Sequence, residues 1–279
     1  MTNYIKAEVL LKAAHVNLSL CGRPILRDIN FSIKNIVRPG ILQGQVVTLI
    51  GKSGIGKTQL FRILSGLQQP TSGTITINNN KTVQAGDMGV IFQNYYLFEW
   101  RTIYTSMMLA ARENAALKGN EREAVEKYAT EFGLKEFMAQ YPQQLSGGQR
   151  QRASIIQQLL KGSDFLLLDE PFSGLDVCML DKVVDLLLQV SLSDELKTLI
   201  IVSHDIATAV AISDTVFILG DEASIPGATI LKEIDLIERD LAWHKDVKKT
   251  KCFAETIEEI KECLQNAKEL ARMDNVLAG

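Results

Sequence analysis

The chain has 279 residues, 46% apolar and 23% charged, with a formal net charge of −3. That length can bury a sizeable core, and the composition is ordinary for a globular protein. The slight acidic balance excludes a nucleic-acid backbone as the main partner, because phosphate contacts need a basic excess.

From the N-terminus, Met1–Leu20 is not expected to act as a signal peptide. Its apolar stretch Val9–Leu11 is cut short by Lys12, and the next run is broken by His15 and Asn17. No stretch approaches the roughly 20 uninterrupted apolar residues of a membrane span. The chain is therefore expected to be soluble and cytoplasmic, with any membrane role supplied through a partner. Four cysteines, Cys21, Cys178, Cys252 and Cys263, form no CxxC pair and stand beside only three histidines. They are expected to be reduced structural thiols, with no zinc site.

In chain order, Val9–Leu20 and Ile29–Ile33 read as strands. Lys34–Gln43, which contains Pro39-Gly40, reads as a loop and as a tolerated surface insertion. Val46–Ile50 is apolar at nearly every position, as central parallel strands are. It runs into a glycine-rich turn and a helix over Lys57–Leu67, followed by a turn at Thr71–Gly73 and strands at Thr74–Ile77 and Gly89–Phe92. From about residue 94 to 162 helical signals dominate, for example over Glu121–Gln140, which ends at Tyr141-Pro142. Strand–helix alternation then resumes with Phe165–Leu168, a helix from Asp176 to about Val190, strand Thr198–Val202, helix Asp205–Ile212 and strand Thr215–Leu219. A last helix over Glu255–Met273 carries Ile257, Ile260, Leu264, Ala267 and Leu270 as one apolar stripe, expected to pack on its own domain. The alternation predicts an α/β layer architecture.

Three motifs carry the chemistry. Gly51-Lys52-Ser53-Gly54-Ile55-Gly56-Lys57-Thr58 matches GxxxxGK[ST] between a buried strand and a helix. Its glycines let backbone N–H groups cradle phosphate oxygens, and the helix N-terminus adds partial positive charge. Lys57 supplies a full charge, and the Thr58 hydroxyl is a candidate Mg²⁺ ligand. Phe165–Leu168 ends in Asp169-Glu170, at the end of the strand on the side where open α/β sheets bind ligands. Asp169 is a candidate for holding Mg²⁺ through water, and Glu170 for the general base toward an attacking water. The third is Leu145-Ser146-Gly147-Gly148-Gln149. In isolation Ser146 would simply cap a helix.

With that third motif in place, the chain from about Val9 to Leu219 resembles the nucleotide-binding subunits of ABC transporters. The resemblance implies a P-loop NTPase core with an N-terminal antiparallel β subdomain and an inserted helical subdomain. The ATPase domain would cover 1–222, with its helical subdomain at about 94–162. A C-terminal extension over 223–279 would hold a strand and an amphipathic helix. Gln93 looks like the glutamine that contacts Mg²⁺ and the attacking water and joins the core to the helices. Ser173-Gly174-Leu175-Asp176 resembles the loop that crosses between subunits, which brings Asp176 to the nucleotide. His204 resembles the switch histidine at the γ-phosphate. The resemblance further implies a homodimer around a two-fold axis. Each ATP would lie between the P-loop of one copy and Ser146–Gln149 of the other. Integral membrane permease subunits would take up the motion.

Leu97-Phe98-Glu99-Trp100-Arg101-Thr102 resembles the LLPWRT stretch of importers of taurine, alkanesulfonates and nitrate, and Pro226-Gly227 with Lys232–Leu236 resembles that group's ending. Glu99 departs from it where proline is usual, and Ser106 where an acidic residue or asparagine often sits. The expectation is an importer of a small anion or sulfonate-like solute, served by an extracytoplasmic solute-binding protein. An exporter motor and a soluble non-transport ATPase stay open beside it. Cys21 stands where an adenine-stacking aromatic is usual in the family, and Arg23 is a candidate substitute.

Overall fold

The structure is a computed structural model that describes residues 4–38, 43–78, 80–173, 183–185, 187–188, 197–222, 225–242 and 246–265, and the backbone of 266–277. Among the described residues ten strands lie in one sheet. In chain order they are β1 (Ile5–Leu20), β2 (Arg23–Val37), β3 (Gln45–Gly51), β4 (Ser72–Ile77), β5 (Lys81–Thr82), β6 (Gly89–Ile91), β7 (Phe165–Asp169), β8 (Thr198–Ser203), β9 (Thr215–Glu222) and β10 (Ile225–Asp235). Across the sheet the order is β5-β4-β1-β2-β10-β9-β3-β8-β7-β6. The run β9-β3-β8-β7-β6 is parallel, and β5-β4-β1-β2 is antiparallel. β2 pairs with β10 in parallel at one register position, Leu26 with Ala228.

The parallel strands are buried along their whole length in β3, β7 and β8, because helices cover both faces. On one side α1 (Lys57–Leu64) packs Leu60, Phe61, Ile63 and Leu64 into a core shared with β1, β2 and β4. On the other, α2 (Ile103–Glu113), α3 (Glu121–Glu131) and α4 (Gly147–Lys161) share a core with Val46, Leu166, Leu168, Leu199 and Ile201. α5 (Ile206–Ile212) and α6 (Lys251–Leu277) close a third core on Ile50, Val216 and Ile218. In that core Ile260 and Leu264 are buried and Ile257 half-buried, so the described part of the predicted stripe faces its own domain. The helix expected over Glu121–Gln140 stops at Glu131, where Gly133 adopts φ +62°, a conformation that ends helices.

The segment read as a surface loop is anchored at both ends. β2 continues through Lys34–Val37, because Val9 and Ile5 of β1 pair with Lys34 and Val37. Arg38 and Gln43 are buried, and Arg38 forms an ion pair with the wholly buried Asp214. Asp214 also accepts the Val46 N–H at 2.8 Å and returns its own N–H to Val46 O at 2.8 Å. Residues 39–42 lie outside the described set. So do Gly174, Leu175 and Asp176, together with most of the helix expected over Asp176–Val190.

Candidate active site

The site forms where β3, β7 and β8 end side by side. β3 is apolar and buried up to Gly51, where a Cβ would lie 2.8 Å from Leu219 O. The chain turns through Lys52–Gly56 and enters α1 at Lys57. Gly56 takes φ +108° at the helix N-cap, and a Cβ there would lie 3.1 Å from Leu26 Cδ2 and 3.2 Å from Ile25 Cγ2. Both the backbone angle and the close approach of β2 require glycine at this position. Lys57, 8% exposed, donates from Nζ to Gly51 O at 2.9 Å and Lys52 O at 3.1 Å. Its ammonium also lies 3.5 Å from Glu170 Oε1.

Glu170 takes φ +50°, an angle that costs a non-glycine residue roughly 1–3 kcal/mol and marks many functional positions. Its N–H donates to Val202 O at 2.8 Å, which adds a rung beyond the end of β7. Its Oε2 accepts from His204 Nδ1 at 2.8 Å and from the His204 backbone N–H at 3.3 Å. With Glu170 ionised, Nδ1 must carry the proton, so the carboxylate fixes the ring's tautomer and orientation. Lys57, Glu170 and His204 thus meet from three strand ends.

Asp169 sits beside them, buried, with Oδ1 lacking a partner among the described residues. Burial pushes its carboxyl above the usual range, and Glu170 adds to this. Lys57, Arg62 and a hydrogen bond from the Thr58 hydroxyl pull the other way. A buried carboxylate oxygen without a partner, next to a threonine hydroxyl at a phosphate cradle, fits Mg²⁺. This ion needs only one or two protein ligands when phosphates complete its shell. Among the described residues no cluster of three His, Cys, Asp or Glu side chains forms a self-contained metal cage.

Gln93 donates from Nε2 to Ser173 Oγ at 3.2 Å. Ser146 caps α4. Its N–H donates to Gln149 Oε1 at 2.8 Å, and its Oγ accepts the Gln149 N–H at 3.4 Å. Ser146 and Gly147 are exposed, with Gly148 and Gln149 half-buried. Among the described residues no hydrogen bond or ion pair joins this turn to Gly51–Thr58. Cys21 and Gly22 form the two-residue turn between β1 and β2, with φ of 49° and 76°, and β2 carries Ile25 from there to the flank of Gly56. Motif reading missed two contacts around α4. Gln151, 1% exposed, donates to Pro171 O at 3.1 Å, and Arg150 pairs with Glu99 at 2.8 Å. Neither pairing leaves a periodic or local signal in the sequence.

Residues 35–173 match the family model described as ABC transporter. The chain is 34% identical over 218 residues to the "Uncharacterized ABC transporter ATP-binding protein YtlC" of Bacillus subtilis, covering 78% of each. It is 32% identical over 251 residues to the "Taurine import ATP-binding protein TauB" of Pelagibacter ubique, covering 88% of this chain and 89% of that one. It is also 32% identical over 212 residues to the "Nitrate import ATP-binding protein NrtD" of Synechocystis, covering 76% and 75%. In fold it is similar to cbiO1 of Clostridium perfringens, with TM-score 0.70 and 24% identity over 96% of this chain and 99% of that one. The dimeric ATP-binding cassette MJ0796, solved with ADP and Pi, gives TM-score 0.64 and 24% identity over 81% and 99%.

Proposed function

The chain belongs to the ATP-binding proteins of ABC transporters, and from that membership we propose that it is the ATPase motor of an importer for a small anion or sulfonate-like solute. The convergence of Lys57, Glu170 and His204 at three adjacent strand ends carries the mechanistic part of this reading. Lys57 exchanges the carbonyls of Gly51 and Lys52 for β- and γ-phosphate oxygens. The backbone of Gly51–Thr58 cradles the same phosphates. That exchange draws the ammonium from Glu170, whose carboxylate accepts the proton of the attacking water. His204, held by Glu170, presents Nε2 toward the γ-phosphate. Thr58 and Asp169, joined by Gln93, would hold Mg²⁺, which supplies charge neutralisation across the phosphates.

Ser146–Gln149 has no partner on its own P-loop, which supports a role toward a second copy. In that homodimer each turn closes the other's nucleotide site. Loss of the γ-phosphate then releases the halves. No helix among the described residues is long and apolar enough to cross a membrane. Transport therefore needs integral permease subunits, with the motor peripheral on the cytoplasmic side and a solute-binding protein outside. A groove of about 340 Å³ lined by Tyr96, Leu97, Phe98, Leu109, Ala110 and Gln157 follows Gln93 and fits a permease segment. Beside it Trp100 is 73% exposed. Relatives named for import of taurine, nitrate and aliphatic sulfonates support the importer class. Co-purification from native membranes tests it. An integral membrane protein should be retained by the wild-type chain and lost on Trp100→Ala. Retention of no membrane protein would contradict the transporter assignment.

A further inference from the structure

Glu99 occupies a central position of a tight turn, closed by the Arg101 N–H donating to Phe98 O at 3.0 Å. The related stretch has proline there, and proline's fixed φ pre-sets the first central position of common turns. Here a side-chain clamp replaces that covalent restraint. Arg150 donates from Nη2 to Glu99 Oε1 at 2.8 Å and from Nε to Pro142 O at 2.9 Å, and Gln143 Nε2 donates to Glu99 O at 3.2 Å. Both the side chain and the backbone of Glu99 are thus gripped by residues flanking Ser146. On α4 the next residue, Gln151, donates to Pro171 O, one residue beyond Glu170. The first turn of α4 is therefore tied on one side to the exposed Phe98–Trp100 turn and on the other to the strand end that carries Glu170.

We propose that Glu99 is a positioning residue: it substitutes an ion pair with Arg150 for the proline of this turn, and so sets the orientation of Ser146–Gln149 toward the second copy. This rests on the motor reading above, in which that turn closes the partner's nucleotide site. Two properties follow from the chemistry. The restraint is sensitive to ionic strength, since the pair is part-exposed and screened by salt. The pair also adds little to folding, because such pairs contribute weakly to stability.

Glu99→Gln and Glu99→Pro are compared with the wild-type chain in the concentration dependence of ATPase activity. Thermal midpoint and nucleotide affinity at low protein concentration are measured alongside. Glu99→Gln should raise the protein concentration for half-maximal activity about three- to fivefold, the size of a charge-pair coupling at such a site. Its thermal midpoint and nucleotide affinity should stay at wild-type values. Glu99→Pro should restore the wild-type concentration dependence and make it less sensitive to added salt. The proposal is overturned if Glu99→Gln matches wild type, if Glu99→Pro is as impaired as Glu99→Gln, or if the thermal midpoint falls in step with activity. A wild-type chain that hydrolyses no ATP at any concentration overturns the motor reading and this proposal with it, whereas an active wild type indistinguishable from Glu99→Gln overturns this proposal alone.

Discussion

In the proposed motor Lys57 holds the phosphates, a role supported by its contacts with both loop carbonyls and with Glu170. Lys57→Ala should remove most ATP binding in a titration, and near-wild-type affinity would refute the phosphate role. The same proposal assigns Cys21 to the other end of the nucleotide. It lies in the β1–β2 turn, four residues before Ile25 at the flank of Gly56, and a thiol offers no π-face for a purine. Stacking on an aromatic is worth about 1–3 kcal/mol per base. Cys21→Tyr should therefore tighten ATP binding, and Arg23→Ala should weaken it if the guanidinium is the platform in use. An unchanged affinity in both would place the adenine elsewhere. The motif residues were legible because each motif is local: strand, turn and helix start lie within a dozen positions. The Lys57–Glu170 approach was not legible, because it joins two motifs through the pairing of β3, β8 and β7. The Arg38–Asp214 and Glu99–Arg150 pairs were not legible, because they join residues brought near each other by the sheet and by α4, without any sequence spacing to announce them.

Strand and helix identities followed from periodicity, but several ends did not. β1 begins at Ile5 rather than Val9, and β2 runs to Val37 rather than Ile33, because these extensions exist only through pairing with each other. α6 begins at Lys251, ahead of the expected Glu255. The same helix provides a pH-dependent contact. Glu259 receives two hydrogen bonds from Arg239, at 2.6 and 3.1 Å, and lies 2.7 Å from Lys232. Arg239 first and Lys232 second hold its carboxyl down to about 2, from an ordinary 4.5. A depressed folded-state value means the unfolded chain binds the extra proton, so the contribution to stability is complete above about pH 4.5 and is lost as pH falls toward 2. Wild type and Glu259→Gln should differ in thermal midpoint above that window and converge below it. A difference that is independent of pH would show that the pair's charge plays no part.

At the scale of the molecule, three buried cores of the described residues pack the helices on the sheet. Helices α2–α4 pack on the face of the sheet opposite α1, so the signature turn and the P-loop lie on different sides of the catalytic strand ends. The C-terminal extension joins β9 through the β9–β10 hairpin, and α6 packs on Ile50 of the P-loop strand. The alternation of strands and helices made the α/β class legible. The shared cores were not, since they depend on which sheet face each helix covers. The central claim is that Glu170 is the base of an ATPase completed by a second copy. Its most direct test is Glu170→Gln with ATP and Mg²⁺, followed by both turnover and size in solution. The amide keeps the shape but cannot take the proton. Turnover should fall to near zero while an ATP-dependent dimer accumulates. Hydrolysis at close to the wild-type rate, or a chain that stays monomeric with ATP bound, would contradict the account.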